Sequence, residues 1–421
     1  IIERVYNISE KNIVILVGGG NNGGDGLAIA RHLHLAGACV EVFATFGYGS
    51  TKGDAKTNLE AVETLSIPIT YISGKEDIVH LKDSLIDGDL VVDALFGTGL
   101  SRNIRGIAGD VIDMVNEYNV PVVAIDIPSG VDASTGNCMG HAIRASHTIT
   151  FGYPKRGHYL YPGRDYLGRL HIVPISLPRD SAQAIGVTTF TLDEKELASI
   201  LRERPQNSHK GTFGRVGVLA GSTGFTGAAY LTSLAAQRAG AGLVTLGVPR
   251  KVHPIMASKL TEVMTYPLED DDTGHFSGKA GQEAVQFLQD KDVLALGPGM
   301  GVDKHIFEFI RHILGKIDIS IVIDADGLNN ISSDIDILKN YRGPIVLTPH
   351  PGEMARLTGE SIECIIANPI QSALELSRKT GAIVLLKGAT TVVANCEGDV
   401  YINKTGNSGM ATGGSGDVLT G

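Results

Sequence analysis

The sequence contains no tryptophan, and aromatic residues make up only 5% of its 421 positions. Its four cysteines form no CxxC pair and no metal-ligand spacing, which is typical of unpaired thiols in a reducing compartment. No apolar run reaches the roughly 18 residues that a membrane span needs, and no secretory segment opens the chain. We therefore expect a cytoplasmic protein that does not bind membranes.

Positive charge is also scarce in this chain. Lys and Arg total 36 against 46 for Asp and Glu, which gives a formal net charge of -10. Nucleic acids and acidic membranes require a basic face, so this balance argues against them as partners. The charge balance still allows nucleotides as ligands, because main-chain amides and a few cations are enough to hold phosphates. The expected partners are therefore small molecules.

Glycine, in contrast, is abundant, with 53 residues. Many glycines and few aromatics are typical of an α/β protein whose tight loops approach ligands closely. Short apolar runs such as residues 13–17 alternate with helical stretches, which predicts parallel, doubly wound sheets. The pattern lapses over residues 178–207, where we place a linker. A hairpin predicted across residues 395–398 makes the second sheet mixed.

The predicted fold class is α/β, with two doubly wound domains at residues 1–180 and 190–421. The chain starts at Ile1 and stops at Gly421, where a helix is expected to continue. We therefore expect further residues at both ends of this sequence. Glycine-rich α/β enzymes commonly assemble, so we also expect a homo-oligomer.

Two glycine-rich segments lie far apart, at residues 21–26 (NNGGDG) and 413–417 (GGSGD). Each has the composition of a loop that offers main-chain N–H groups to a phosphate at the start of a helix. No GxxxxGK[ST] string occurs, so the chain is not a P-loop protein. Two such segments indicate two nucleotide-handling sites, and so two activities joined in tandem.

Three polar segments of the first domain follow predicted strands, at residues 21–26, at Asp93 and at Asp126. Ligands of open α/β sheets bind at the carboxyl ends of the strands, so these segments should converge on one cleft. Neutral Asn oxygens with one carboxylate suit a large monovalent cation better than Mg²⁺. Simpler roles stay open, because Asn22 can cap a helix and both aspartates can lie in turns.

The string from Gly18 to Gly23 also matches the GxGxxG dinucleotide fingerprint. Its acidic partner is missing, because Glu41 sits at the start of the second strand rather than at its end. This argues against an ordinary hydride-transferring site.

The strings VGGGNNGGDG (17–26), DALFGTG (93–99) and AIDIPSG (124–130) resemble the NAD(P)H-hydrate epimerase family. That family binds potassium in such a cleft and interconverts the R and S epimers of hydrated NAD(P)H. The resemblance implies a Rossmann-like epimerase domain that binds potassium through Asn22, Asp93 and Ser129. The residues that it implies for substrate binding are Asn21, Asn22, Gly23, Gly24, Asp25, Gly97, Thr98, Gly99, Leu100, Ser101, Arg102, Asn103 and Asp126.

The resemblance also brings Asp126 to the hydrated ring as a catalytic residue. Epimerising C6 needs a group that takes and returns a proton as the C–O bond breaks and reforms. The sequence does not identify the partner acid or base of this step.

Motifs of the second domain follow predicted strands as well: GPGMG (297–301), TPHPGEM (348–354), KGATT (387–391) and NSGMATGGSGD (407–417). Small residues ending in Gly-Asp at a helix start can stabilise a transferring phosphoryl group through their N–H groups. The Asp can then accept the proton of the acceptor hydroxyl. Simpler readings are an ordinary helix-start Asp417, a packed or surface His350 and a solvated Lys387.

These strings resemble the ribokinase-like fold and, more narrowly, the ADP- or ATP-dependent NAD(P)H-hydrate dehydratase family. The resemblance implies phosphorylation of the hydrate's hydroxyl and then loss of phosphate, with Asp417 as base. Asp417, Ala228, Gly301 and His350 would face the hydrate. The residues that would hold ADP or ATP are Lys387, Gly388, Ala389, Thr390, Thr391, Asn407, Ser408, Gly409, Met410, Ala411, Thr412, Gly413, Gly414, Ser415 and Gly416. Phosphoryl transfer also leads us to expect Mg²⁺.

The predicted function is therefore repair of hydrated NAD(P)H, with K⁺ and Mg²⁺ as cofactors and ADP or ATP as co-substrate. One alternative is a ribokinase-like small-molecule kinase, with hydroxymethylpyrimidine-type substrates, fused to a nucleotide-binding regulatory domain. Another is a non-catalytic nucleotide sensor that uses both pockets for binding.

Overall fold

A computed structural model of the chain describes residues 1–178, 180–192, 194–201 and 203–421, apart from the side chains of Lys75 and Lys195. It divides into two compact units, Ile1–Gly186 and Val187–Gly421. The division falls within the predicted linker at residues 178–207, of which Arg179, Asp193 and Arg202 lie outside the described residues. Among the described helices, none is long and apolar enough to cross a membrane.

The first unit is built on a parallel sheet with the strand order β3-β2-β1-β4-β5-β6-β7. Its described strands are β1 (Asn12–Val17), β2 (Cys39–Ala44), β3 (Ile69–Tyr71), β4 (Leu90–Ala94), β5 (Val122–Ile125), β6 (His147–Phe151) and β7 (Arg169–Val173). Its described helices are α1 (Ile2–Tyr6), α2 (Asn21–Leu35), α3 (Gly53–Thr64), α4 (Lys75–Ile86), α5 (Ile107–Glu117) and α6 (Ser181–Ala184).

Strand β1 shows why this sheet is covered on both faces. Ile13, Ile15 and Val17 pack into one hydrophobic core, whereas Val14 and Leu16 pack into a second. Successive side chains of a strand point to opposite faces, so a continuous apolar run needs helices on both sides. The predicted buried parallel strand is confirmed.

The second unit has a mixed sheet with the order β11-β10-β9-β12-β13-β14-β15-β16-β17-β8. Its described strands are β8 (Thr189–Phe190), β9 (Arg215–Leu219), β10 (Leu243–Pro249), β11 (Met264–Leu268), β12 (Val293–Leu296), β13 (Ser320–Ile323), β14 (Ile345–Leu347), β15 (Ile383–Leu386), β16 (Thr391–Ala394) and β17 (Val400–Asn403). Its described helices are α7 (Glu194–Ile200), α8 (Thr226–Ala239), α9 (His253–Lys259), α10 (Gly281–Leu288), α11 (Lys304–Leu314), α12 (Asp326–Ile331), α13 (Pro351–Thr358), α14 (Ile362–Ala367), α15 (Pro369–Thr380) and α16 (Ser415–Thr420).

The antiparallel part of the second sheet is the predicted hairpin. β16 pairs antiparallel with both β15 and β17. Asn395 closes the turn, because its Oδ1 accepts hydrogen bonds from the main-chain N–H groups of Gly398 at 2.9 Å and Asp399 at 2.8 Å. Two doubly wound α/β units, one parallel and one mixed, are thus confirmed.

Each sheet reverses its strand order at one central strand. In the first unit β1 lies between β2 and β4, and in the second β9 lies between β10 and β12. Ligands of doubly wound sheets bind in the crevice at the carboxyl ends beside such a reversal. The fold therefore offers one ligand crevice in each unit.

The segment at residues 21–26 differs from the prediction. It was expected to be a loop before a helix, but α2 already begins at Asn21 and contains all six residues. A Cβ on Gly23 would lie 1.7 Å from the carbonyl oxygen of Gly18, and one on Gly26 would lie 2.5 Å from Cβ of Ala94. These glycines therefore serve the close approach of the helix to β1 and β4, and the loop is confined to residues 18–20.

One buried histidine fixes the turn after β6 to the end of β5. His158 is 1% exposed. Its Nε2–H donates to the carbonyl oxygen of Asp126 at 3.1 Å, and its Nδ1 accepts the N–H of Lys155 at 3.1 Å. Burial, with a smaller contribution from the Lys155 charge, lowers the pKa of His158 to about 4. The native state therefore holds this ring neutral.

Substitution of Gly23 tests the tight approach of α2. We expect Gly23→Ala to lower the free energy of unfolding of the first unit by at least ~2 kcal/mol, because the new methyl group would meet main-chain atoms. The matched control is Gly20→Ala, since a Cβ there has no heavy atom within 4 Å. Urea unfolding monitored by hydrogen exchange in β1 and β4 measures both. Equal stability of the two variants would contradict this packing argument.

The His158 ring also predicts a pH dependence of stability. Its pKa is about 4 in the native state and about 6.5 when unfolded, so the unfolded chain takes up the proton first as the pH falls. The first unit should lose ~3 kcal/mol of stability between pH 6.5 and 4 through this group alone. His158→Gln should flatten that decline, whereas His32→Gln, at an exposed position in α2, should not. Parallel pH profiles for wild type and His158→Gln would refute the assignment.

Candidate active sites

The first unit has a cavity of about 620 Å³ at the carboxyl ends of β1, β4 and β5. It is lined by residues 19–22, Asp25, residues 95–102 and Asp126. The predicted substrate residues Asn21, Asn22, Asp25, Asp126 and residues 97–102 are therefore brought together. Gly23, Gly24 and Asn103 are outside this lining, and the two glycines are buried in the packing of α2.

Next to this cavity lies a carboxylate with no exposed surface. Asp93 on β4 is 0% exposed. Its Oδ1 accepts the hydroxyl of Ser129 at 2.5 Å, and its Oδ2 accepts the Ser129 N–H at 2.8 Å. Burial raises the pKa of Asp93 to about 6, even though these hydrogen bonds oppose the shift. A carboxylate so poorly hydrated is stabilised by a nearby positive charge.

Asn22 supplies a second sign that this place suits a cation. Its side-chain Nδ2 is buried and has no hydrogen-bond partner within the described part of the chain. A half turn of the amide exchanges its nitrogen and oxygen, which brings a neutral oxygen to the same position. Asn22 also lies against Gly97, where a Cβ would come within 3.2 Å of the amide carbon. Asp93, Ser129 and Asn22 thus fit a monovalent cation with oxygen ligands.

Asp126 follows β5 in a strained backbone conformation. Its φ is 66°, which a residue other than glycine rarely adopts and which is concentrated at functional sites. The Oδ1 atom accepts a hydrogen bond from Thr150 at 3.0 Å and a very short one from the Lys155 ammonium. His158 donates a hydrogen bond to the main-chain carbonyl of Asp126. Together these contacts fix the carboxylate on the cavity wall.

The sequence reasoning missed Thr150, Lys155 and His158. A signal was present, because Thr150 lies on β6 and Lys155 follows that strand, as Asp126 follows β5. The rule that polar residues at strand ends share a cleft applied to them equally. This strand end, however, is not marked by a glycine-rich string.

In the second unit, Asp417 lies in the first turn of α16. The helix is preceded by its N-cap residue Gly414, whose φ is 92°. Thr232 of α8 donates its hydroxyl to the Asp417 carbonyl at 3.1 Å, which fixes the short helix against α8. Burial and the nearby Asp324 raise the pKa of Asp417, and Lys387 partly offsets this. Asp417 is therefore close to a lysine and a buried carboxylate.

Lys387 follows β15 and is held by two carboxylates. Its ammonium donates to Oδ1 of Asp324 at 2.7 Å and lies 3.7 Å from Oε2 of Glu353. Asp324 is 1% exposed, and its Oδ2 accepts the hydroxyl of Thr420, in α16, at 2.5 Å. One buried aspartate thus joins the lysine to the helix that carries Asp417.

The sequence reasoning also missed Asp324, Glu353 and Thr420. Asp324 directly follows β13, so its position at a strand end was the available signal. Glu353 lay within the TPHPGEM string but received no role. Nothing local marks Thr420, because its partner Asp324 is 96 residues away in the chain.

The remaining predicted residues of this unit fall into two groups. His350 is the N-cap of α13: its Nδ1 accepts the N–H groups of Gly352 and Glu353, and its Nε2 lies 3.4 Å from Glu353. Gly301 is held by Asp326, whose Oδ2 accepts its N–H at 3.0 Å. The second group is placed by the elements alone: Ala228 lies in α8, residues 388–390 connect β15 to β16, Thr391 begins β16, and residues 407–416 lead into α16.

No group of three or more His, Cys, Asp or Glu side chains that could hold a metal ion occurs among the residues with described structure. The second unit therefore shows no carboxylate cage for Mg²⁺ in its described part. The group around Asp93 in the first unit is of a different kind, since it combines one carboxylate with the neutral side chains of Ser129 and Asn22.

Comparison with known proteins covers both units. A family model described as "YjeF-related protein N-terminus" matches residues 1–157, and one described as "NAD(P)H-hydrate dehydratase" matches residues 216–421. Among solved structures, an ADP/ATP-dependent NAD(P)H-hydrate dehydratase from Bacillus subtilis, co-crystallized with ATP/Mg²⁺, is 30% identical with a TM-score of 0.48. That similarity covers 56% of this chain and 79% of that chain.

Curated relatives match along the whole chain. The bifunctional NAD(P)H-hydrate repair enzyme of Moorella thermoacetica is 42% identical, over 100% of this chain and 80% of that protein. The protein of the same name from Thermofilum pendens is 38% identical, over 97% of this chain and 77% of its own length. The chain therefore belongs to the family of bifunctional NAD(P)H-hydrate repair enzymes.

Proposed function

We propose that this protein repairs hydrated NAD(P)H in two steps, one in each unit. The first unit interconverts the R and S epimers of the hydrate. The second dehydrates the S epimer to NAD(P)H at the expense of ADP or ATP. Family membership supports the pair of activities, and the structural observation that carries the proposal is the placement of Asp417 beside Lys387 and Asp324.

The chemistry of the second unit starts at the hydroxyl on C6 of the hydrate. Asp417 accepts the hydroxyl proton while the oxygen attacks the terminal phosphoryl group of the nucleotide. The C6–O bond then breaks as phosphate leaves, the lone pair of N1 assists, and C5 loses a proton to restore the double bond. A carboxyl whose pKa is raised, as that of Asp417 is, is a stronger base than a solvated aspartate.

Lys387 has the position to compensate the charge of the transferring group. Its side chain is mostly buried and its ammonium is held by Asp324, so little reorganisation is needed when phosphates arrive. The N–H groups at the start of α16 and residues 407–414 complete the proposed nucleotide site. The described residues do not form a magnesium cage, so Mg²⁺ stays a prediction and no step here depends on it.

In the first unit, Asp126 is the proposed proton-transfer group at C6 of the bound hydrate. Lys155, Thr150 and His158 fix its carboxylate and carbonyl, which keeps the proton acceptor in one orientation. Potassium, when bound, would supply a fixed positive charge next to the substrate. Asp93, Ser129 and Asn22 would hold it. The homo-oligomer remains a prediction.

Asp417→Asn tests the second activity. Restored absorbance near 340 nm, measured with hydrated NADH and ADP or ATP, should fall at least ~10²-fold, because the amide cannot accept the hydroxyl proton. Nucleotide affinity, measured by calorimetry, should change little. The control is Asp336→Asn, which removes an exposed carboxylate of the same unit that is distant from Asp417 in the sequence.

The alternatives give different results in the same assay. A small-molecule kinase would accumulate a stable phosphorylated product without recovery at 340 nm. A nucleotide sensor would bind nucleotide without turnover in the wild type. Full dehydration activity in Asp417→Asn would disprove the role of this residue.

Potassium dependence tests the cation site of the first unit. At 100 times its Kd, K⁺ should stabilise the native state by about 2.7 kcal/mol, whereas Li⁺ at equal ionic strength should not. Asp93→Asn should abolish the K⁺ increment, and Asp110→Asn, an exposed change in α5, should keep it. Thermal unfolding in the two salts measures this. Equal stabilisation by K⁺ in Asp93→Asn would rule out the proposed ligand.

A further inference from the structure

Two carboxylates reach the cavity of the first unit from different strand ends. Asp25 lies in α2, which follows β1, and Asp126 follows β5. In the sheet, β4 separates β1 from β5. Neighbouring strands are about 4.8 Å apart, so the two strand ends lie about 10 Å apart. This span leaves room for a flat ring between the two side chains.

The two carboxylates have opposite electrostatic surroundings. Asp126 is paired with the Lys155 ammonium and accepts a hydrogen bond from Thr150. Asp25 has no hydrogen bond or ion pair in the described part of the chain. Burial, together with repulsion from Asp126, raises the pKa of Asp25. Arg102 is the other charged side chain on the cavity wall. A carboxyl group paired with a cation and one without a partner, on the wall of the same cavity, are suited to act as a base and acid pair.

We propose that Asp25 is a second catalytic residue of the epimerisation and acts on the face of the hydrated ring opposite Asp126. The inference rests on the proposed epimerase function and supplies the partner that the sequence left unidentified. Epimerisation must remove a hydroxyl from one face of C6 and place one on the other. A proton donor on one face and a proton acceptor on the other meet that requirement with a single substrate orientation.

The atoms balance as follows in one direction. The protonated Asp25 carboxyl gives its proton to the C6 hydroxyl, the C6–O bond breaks, and water leaves. The lone pair of N1 forms a C6=N1 iminium, which is planar. A water molecule then adds to C6 from the opposite face, and its proton goes to Asp126. The product is the other epimer, and its hydroxyl oxygen comes from the solvent.

One turnover exchanges the protonation states of the two residues. Asp126 then carries the proton and Asp25 is charged, which is the form needed for the reverse reaction. Proton exchange with solvent returns both residues to their starting forms. Lys155 contacts the Asp126 carboxylate directly and holds it in place. This assigns Lys155 a positioning role rather than contact with the substrate.

Oxygen exchange in ¹⁸O water separates this mechanism from a mere binding role. The wild type should incorporate one solvent oxygen for each inversion at C6. Asp25→Asn and Asp126→Asn should each slow inversion by ~10²-fold or more. Each variant should nevertheless exchange the oxygen of one epimer without inversion, because one proton-transfer group remains. The two variants should differ in which epimer they exchange.

The control variants keep the result interpretable. Asp54→Asn changes an exposed aspartate in the first turn of α3 and should behave as wild type. Asp25→Glu retains the carboxyl group and should restore part of the inversion rate. Hydrogen exchange in β1 and β4 reports whether the first unit of each variant is folded, and dehydration of the S epimer reports the same for the second unit.

Three outcomes would overturn the inference. They are inversion by the wild type with the original oxygen retained, unchanged inversion in Asp25→Asn, and a parallel loss of exchange for both epimers in that variant. Failure of the proposed epimerase function gives a different result, since the wild type itself would then not interconvert the epimers.

Discussion

In each unit, a lysine that follows one strand forms an ion pair with an aspartate that follows another strand. Lys155 pairs with Asp126 across neighbouring strands, and Lys387 pairs with Asp324 across β14. A buried or half-buried carboxylate is unfavourable unless a positive charge and hydrogen bonds compensate it. The two pairs therefore determine which orientations the neighbouring side chains can adopt. Both crevices are organised around such a pair.

These pairs also help to explain why strained backbone persists beside them. Asp126, which directly follows β5, has a φ of 66°. Ala325, the second residue after β13, has a φ of 50°. Strain of ~1–3 kcal/mol per residue survives only where the surroundings determine the conformation. His158 supplies that restraint in the first unit by holding the Asp126 carbonyl. In the second, Gly297 lies against the Asp324 carbonyl, where a Cβ would come within 2.0 Å.

The fold and part of the sites could be predicted from the sequence, for identifiable physical reasons. Buried parallel strands are continuous apolar runs, and their carboxyl ends share an edge, so the grouping of Asn22 with Asp126 on one cavity followed from pattern alone. The glycine-rich segment at residues 21–26 was misassigned as a loop, because local preference disfavours glycine in helices while close packing on β1 requires it. Lys155 and Asp324 also lie at strand ends, but that position alone does not reveal their roles, because these depend on partners across the sheet.

The attachment of Lys387 to Asp324 has a kinetic consequence for the nucleotide. Phosphates bound at the proposed nucleotide site would share the ammonium with a carboxylate that already binds it at 2.7 Å, so part of their attraction would be offset. When the spent nucleotide leaves, the lysine would still be paired with Asp324, so no unpaired charge would be left in the protein interior. The Thr420 hydroxyl also donates a hydrogen bond to Asp324, which further compensates that carboxylate. A cation shared in this way would favour release of the product over tight retention.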